Sequence, residues 1–436
     1  MKSKVYSSVE QFKEQNAELK TDLPISDDNS VLCQKVKIGN LELSNRLVCQ
    51  AMEGCDGTAD GRPDELTVRR YERLSKGGAG LIWFEATAVC NEGRANPRQL
   101  YINEKNLDDF KKIVENIKRW GMKENGYEPA VIMQATHSGR YSKPEGKPAP
   151  IIAYNNPIFE KDNPIDKSRI ITDEGLDRVH ESLVHAAGLA KEAGFDGVDI
   201  KCCHRYLNSE LLSAFTREGR YGGSFENRTR LLRESVRDSI SLCGDGFTVT
   251  SRMNVYDGFP YPYGFGVKEG EGITPDLSEA DRLIKELAEL GVKLLDITMG
   301  NPYFNPHVNR PYAAGGYEPP EHPLCGVARM LKGTAKLGKA NPDVSLICSG
   351  LSFLGAAAPG VAAAFIEEGG FSLAGFGRMI FAYPDFAKDI VNGRFDPKKI
   401  CIACSKCTEI MRAGGTPGCI VRDGETYMPI YKKYCK

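Results

Sequence analysis

The chain has 436 residues, enough for one large α/β barrel with appendages or for two ordinary domains. Its 57 basic and 58 acidic side chains balance to a net charge of −1 without blocks of like charge, which argues against nucleic acid or an anionic membrane as partner. No stretch approaches a membrane span and the N-terminal MKSKVYSSVEQFKEQNAELK carries no apolar signal core, so a soluble cytoplasmic enzyme is expected.

Residues 1–30 read as an N-terminal extension. Residues 31–43 (VLCQKVKIGNLEL) alternate about Gly39-Asn40, the pattern of a hairpin that caps a barrel floor. Eight short apolar runs then recur at 47–51, 80–84, 130–134, 197–200, 247–251, 293–297, 344–348 and 372–375, each followed by a helical stretch or a Gly/Pro-rich loop. Eight such alternations predict an α/β fold, a closed parallel (β/α)8 TIM barrel over 31–395. The runs are nearly continuous in Val, Ile, Leu and Ala, as strands buried on both faces require. Residues 173–193 are predicted helical, with Thr172 as N-cap and Gly194 just past the end, and 277–290 repeat the arrangement before Gly291. Three insertions at 138–171, 253–275 and 300–323 follow barrel strands and are rich in Gly, Pro, Tyr and Asn. Long loops at the carboxyl ends of strands are where a barrel builds its active site.

The densest chemistry follows the fourth run. Val198, Asp199 and Ile200 end in Lys201, His204 and Tyr206, a cation, an imidazole and a phenol within six residues. Taken singly, Tyr206 also reads as a core aromatic and Lys201 and His204 as solvated loop residues. Together they can bind a developing oxyanion and hand a proton to carbon.

Of fourteen cysteines, four fall at Cys401, Cys404, Cys407 and Cys419, spaced C-x2-C-x2-C-x11-C in a cysteine-rich segment at 396–436. Without a secretion signal the cysteines are expected as free thiols or metal ligands, the scattered ones mostly as small core fillers. Four thiolates can cage a zinc ion or a cubane iron–sulfur cluster, and the spacing alone does not choose. Cys435, beside the terminus, is expected to be frayed rather than ligating.

Several strand-end motifs agree in order and spacing. Asn45-Arg46 opens the first run, Gln134-x-x-His137-x-Gly139-Arg140 follows the third, and Tyr206-Leu207 with YGGSFENR (221–228) follows the fourth. Arg252 ends the fifth run and Gly377-Arg378 the eighth. From about residue 31 to 395 the chain resembles the old yellow enzyme family of flavin-dependent ene-reductases. With the cysteine tail it resembles the subgroup that includes bacterial 2,4-dienoyl-CoA reductase, although that subgroup has one more residue between the second and third cysteines. The resemblance implies FMN across the barrel mouth, with Gln134 on its pyrimidine edge, Arg252 near N1 and O2, and Ala51, Met52 and Ala86 backing the rings. The phosphate would meet backbone N–H groups near Gly350 and Gly377, assisted by Arg378. It also implies that Lys201 and His204 hold the carbonyl oxygen of an α,β-unsaturated substrate while Tyr206 protonates the α carbon and the flavin gives hydride to the β carbon. Lys201 departs from the family's usual residue, so the substrate is expected to be held differently or to be more acidic, for instance a carboxylate or thioester. Glu53, an acid near the flavin edge, is a second departure. The resemblance favours a 4Fe-4S cluster at the quartet, and barrels of this family often pair, which points to a homo-oligomer.

No GxGxxG follows a strand and the chain ends soon after Cys419, so no dinucleotide-binding module is expected. Electrons would come from a separate flavoprotein or ferredoxin, or from NAD(P)H over the FMN. Oxygen-labile cofactors and fourteen thiols suit an anaerobe. Two rival readings remain open: an electron-transfer or redox-sensing subunit without a substrate of its own, and a zinc-stabilised barrel enzyme without iron. The loop at 300–317, with Tyr303 as a lining residue, favours a substrate lid.

Overall fold

Eight parallel strands close on themselves in the computed structural model, which describes residues 4–435. They are β3 (Leu47–Cys49), β4 (Leu81–Ala88), β5 (Ala130–Thr136), β6 (Gly197–Ile200), β7 (Thr248–Asn254), β8 (Leu294–Thr298), β9 (Ser345–Cys348) and β10 (Leu373–Phe376), after a two-stranded hairpin, β1 (Val36–Ile38) and β2 (Leu41–Leu43). The order is sequential and β10 pairs back to β3, so the predicted (β/α)8 barrel is the fold. The eight strands coincide with the eight apolar runs. Three run well past the apolar stretch, β4 to Ala88, β5 to Thr136 and β7 to Asn254; Gln134 and Arg252 stay in the ladder with partners inside the barrel, while Glu85 sits at a bulge in β4 and meets Arg70, Tyr71 and the Gly54 N–H. Hydropathy ends sooner than hydrogen bonding does.

The hairpin turns at Gly39, whose φ of +56° favours a residue without Cβ, and pairs Val36 with Leu43. Ile38, Leu41 and Leu43 pack against Val48, Leu81, Trp83 and Ile132 and plug the amino-terminal end of the barrel. Ser30–Cys33, expected to be extended with the hairpin, instead form a helical turn. The helix Asp173–Glu192 starts at Thr172, whose side chain accepts the Gly175 N–H, and Gly194 follows it in the left-handed region. The helix Ser278–Glu289 lies where the sequence places it.

Among the described residues, the segments before and after the barrel are docked on it. In the helix Val9–Glu18, Phe12 is fully buried and stacks edge-on with Tyr6, which in turn meets Phe353. The cysteine segment carries the helices Lys406–Arg412 and Gly424–Cys435. Cys435 is therefore helical and not frayed, because Tyr427 is buried against the barrel and Asp423 is gripped by Arg69 (2.8 and 2.9 Å) and Arg73 from the helix Glu65–Lys76. No helix among the described residues is long and apolar enough to cross a membrane.

Candidate active site

A polar network fills the barrel interior just below its carboxyl mouth. Asp199 on β6 accepts from Gln134 Nε2 (2.6 Å), Trp83 Nε1 (2.7 Å) and the Arg252 backbone N–H (2.6 Å). Asp296 on β8 accepts from Gln50 Nε2 (2.8 Å), and Gln50 also donates to Ser349 Oγ (2.8 Å). The Arg252 Nε stands 3.1 Å from Asp296 Oδ2 without the alignment of a hydrogen bond, and both atoms are otherwise unpartnered and buried. Burial raises both carboxyls, Asp296 to about 7, while Arg252 opposes the rise.

The ends of three adjacent strands, β9, β10 and β3, bring Gly350, Gly377-Arg378 and Ala51-Met52 together. Gly350 takes φ +96°, and the Met52 sulfur lies 3.4 Å from where a Cβ on Gly377 would be. Arg252 Nη1 reaches Ala51 O at 3.4 Å, and Ala86 on the neighbouring β4 is buried. Arg378 donates Nη2 to Pro311 O (2.6 Å), but its Nη1 and that of Arg310 are buried without a partner. Buried donors of this kind call for an acceptor from outside the chain. Gln134, Arg252, the two glycines and these free guanidinium N–H groups fit a flavin with a phosphate tail.

The loop after β6 is bent at His204 and Arg205, with φ of +65° and +62°. Two consecutive non-glycine residues there are held at a cost of about 1–3 kcal/mol each. Arg205 supports the bend from a fully buried position, donating to Asp257 (2.8 Å) and to Tyr154 Oη (2.8 Å). The bend presents His204 partly exposed and Tyr206 nearly buried. Burial, reinforced by Arg252 and Lys201, holds His204 well below its usual value and so neutral. Burial, then Tyr303, pushes the Tyr206 phenol well above its usual value, so it keeps its proton. Lys201 Nζ lies 3.8 Å from the centre of the Tyr206 ring, and burial lowers its affinity for a proton. Tyr206 Oη and Tyr303 Oη are 2.9 Å apart. Tyr303 stacks on Tyr141 at 3.9 Å, and Tyr141 Oη accepts from Asn301 Nδ2 (2.7 Å).

Glu53, Tyr141 and Tyr303 line a cavity of about 480 Å³ that also meets Asn96, Arg98, Lys143, Met411 and Arg412. Glu53 therefore faces this cavity, tied to Asn96 Nδ2 at 2.9 Å, and burial raises its carboxyl.

The four cysteines of the tail surround a second cavity with Arg378, Phe381 and Ile400. Left-handed turns at Ala403 (φ +50°) and Ser405 (φ +59°) curl the loop around it. The N–H of Ala403 points to Cys401 Sγ (3.4 Å) and that of Arg422 to Cys419 Sγ (3.3 Å). No three of these sulfurs lie within 4.8 Å of one another. Burial pushes the Cys401 thiol up to about 12.

The structure thus brings every sequence-predicted residue to the carboxyl end of the barrel or to the cysteine cavity. Sequence reasoning passed over Gln50, Asp296, Ser349 and Arg310, and had Asp199 only as part of a strand. The available signal was an acid inside each of two apolar strands, GVDI and LLDIT. It also passed over Cys90 and Glu92, which approach His137 closely enough to share a metal ion. There His137 Nδ1 accepts the Gly139 N–H (3.1 Å), and burial raises the Cys90 thiol to about 12.

This barrel is that of a flavin-dependent oxidoreductase. Residues 32–396 match the NADH:flavin oxidoreductase / NADH oxidase family, and the chain belongs to it. It is 30% identical over 276 residues to an NADPH dehydrogenase of Geobacillus sp. (strain WCH70), covering 62% of this chain and 73% of that one. It is 26% identical over 381 residues to an NADH oxidase of Thermoanaerobacter brockii, covering 85% of this chain and 52% of the relative. Among solved structures it is similar to 2-naphthoyl-CoA reductase in complex with 2-naphthoyl-CoA (21% identity, TM-score 0.73, 94% of this chain and 58% of that chain). It is also similar to morphinone reductase in complex with tetrahydroNAD (22% identity, TM-score 0.62, 83% and 91%). This chain thus spans little more than half the length of the NADH oxidase and of the naphthoyl-CoA reductase.

Proposed function

We propose that the protein is an FMN-dependent ene-reductase that reduces the C=C bond of an α,β-unsaturated carbonyl compound, an enoate, enoyl thioester or enone. The observation that carries this reading is the buried Tyr206 phenol, 2.9 Å from Tyr303 Oη, with Tyr303 itself lining a cavity. When bound, FMN supplies hydride from its N5 to the β carbon. Gln134 and Arg252 would hold its pyrimidine edge; Gly350, Gly377 and Arg378, joined by Arg310, its phosphate; Ala51, Met52 and Ala86 its rings.

His204 and Lys201 polarise the substrate carbonyl, His204 as a neutral N–H donor and Lys201 as a cation. Tyr206 keeps its proton until the α carbon becomes basic, then transfers it. The phenolate left behind is stabilised by Lys201 over its ring and by the Tyr303 hydroxyl. A cavity that ends on the hydrogen-bonded partner of Tyr206 supports a substrate site over a purely electron-carrying subunit.

Cys401, Cys404, Cys407 and Cys419 are read as ligands of a 4Fe-4S cluster. A single zinc ion at about 2.3 Å from each sulfur would draw them within about 4 Å of one another. Backbone N–H groups aimed at two of the sulfurs would offset the negative charge of a cubane. Electrons would enter there from a flavoprotein or ferredoxin, or at the flavin from NAD(P)H. Quantifying iron, sulfide, zinc and flavin together after anaerobic purification tests the pair of cofactors. Zinc with no sulfide would overturn the cluster, and absence of flavin would overturn the enzyme.

A further inference from the structure

The cavity that reaches Tyr303 carries three basic side chains from three separate stretches of chain: Arg98 after β4, Lys143 after β5 and Arg412 at the end of the helix Lys406–Arg412. Its one acidic lining residue is Glu53, whose carboxyl burial makes harder to ionise. Lys143 Nζ forms no hydrogen bond or ion pair among the described residues. Arg412 spends only Nη2, on Pro302 O (3.0 Å), and Arg98 is occupied by Gly57 O (3.2 Å) and Thr416 Oγ1 (3.3 Å), with Asp64 3.9 Å away. The cavity is therefore aromatic at its inner end, where Tyr141 and Tyr303 stack, and cationic at its rim.

We propose that this rim is an anion site: it binds a carboxylate or phosphate on the far end of the molecule whose reacting end lies at Tyr206. The proposal rests on the ene-reductase reading of the same cavity. It also gives the cysteine segment a second task, since Arg412 and Met411 form part of the cavity wall. The fixed cations favour an anion over its neutral isostere, and Lys143 and Arg412 have donors free to meet it. Two sources share this chemistry, an acidic tail on the unsaturated substrate and the extra phosphate that separates NADPH from NADH.

The test compares holoenzyme with Lys143→Ala and Arg412→Gln, using a cyclohexenone that carries a carboxymethyl tail and its methyl ester, and using NADPH against NADH. Loss of one charge-assisted contact should change the acid-to-ester KM ratio, or the NADPH-to-NADH ratio, by about tenfold or more. The ratio that moves identifies the source, and Lys143→Arg should restore it. Equal ratios in wild type and both variants would overturn the anion site. Equilibrium dialysis of the acid and the ester against oxidised holoenzyme reads the same preference without turnover. A charge-dependent preference there with no reduction of either compound would leave the anion site standing and overturn the ene-reductase reading.

Discussion

The barrel mouth and the cysteine cavity hold reactive groups by different means. At the mouth, Gln134, Asp199, Arg252 and Asp296 stand on strands whose backbones are paired on both sides, and their side chains are locked to one another. At the tail, Cys401 and Cys404 stand on a loop shaped by two left-handed turns, Cys407 on the helix that follows and Cys419 beyond it, all moored to the barrel through Asp423 and Tyr427. The mouth is organised by the fold before any cofactor arrives. The cysteine loop brings its sulfurs near one another but leaves the last ordering to whatever they bind.

The comparison is broken most directly at Tyr206. Tyr206→Phe should slow reoxidation of the reduced protein by an enone about 10²-fold or more, while FMN content and the rate of flavin reduction stay as in wild type. Stopped-flow absorbance of the two half-reactions reads both; full reoxidation rate in the variant would remove Tyr206 from its role. Cys404→Ser probes the other region. It should reduce iron and sulfide to background and stop electron entry through the tail, with flavin retained because the mouth does not depend on the cage. Co-loss of flavin would show that the two regions are one unit.

A smaller effect is expected at the mooring. Asp423→Asn removes the charge that Arg69 and Arg73 grip, at about 1 kcal/mol given that both arginines are partly exposed. Limited proteolysis should then cut the chain beyond residue 396 faster, with the barrel intact. A pH slope is expected as well. Asp296 has a folded value of about 7, above its unfolded value, so the folded state holds the extra proton between about pH 4 and pH 7 and stability declines as pH rises through that window. Asp296→Asn should flatten this part of the melting-temperature profile, and an unchanged slope would locate the titration elsewhere.

Strand positions were legible because a two-face-buried strand must be apolar, and the fourth run through 197–200 was found to the residue. The cluster of Lys201, His204 and Tyr206 was legible because three reactive side chains crowd one strand end. What escaped was pairing. Asp296 reads as an oddity inside LLDIT until Gln50, just past the end of β3, and Arg252, on β7, are seen to meet it from more than forty residues away. Arg310 lies in a Gly/Pro-rich loop where nothing local marks its buried, unpartnered nitrogen. The cationic rim drew Arg98, Lys143 and Arg412 from across the chain, and no spacing rule links them. Cys435 was misjudged from its distance to the terminus, which says nothing of the Asp423 mooring.

The most direct test of the account is the fate of reducing equivalents once FMN is bound. Anaerobic protein with its flavin reduced is mixed with a simple enone and the visible spectrum followed. Return of the oxidised flavin band together with stoichiometric saturated ketone is the expected result. A reduced spectrum that persists with the enone and yields only to a protein electron acceptor would contradict it.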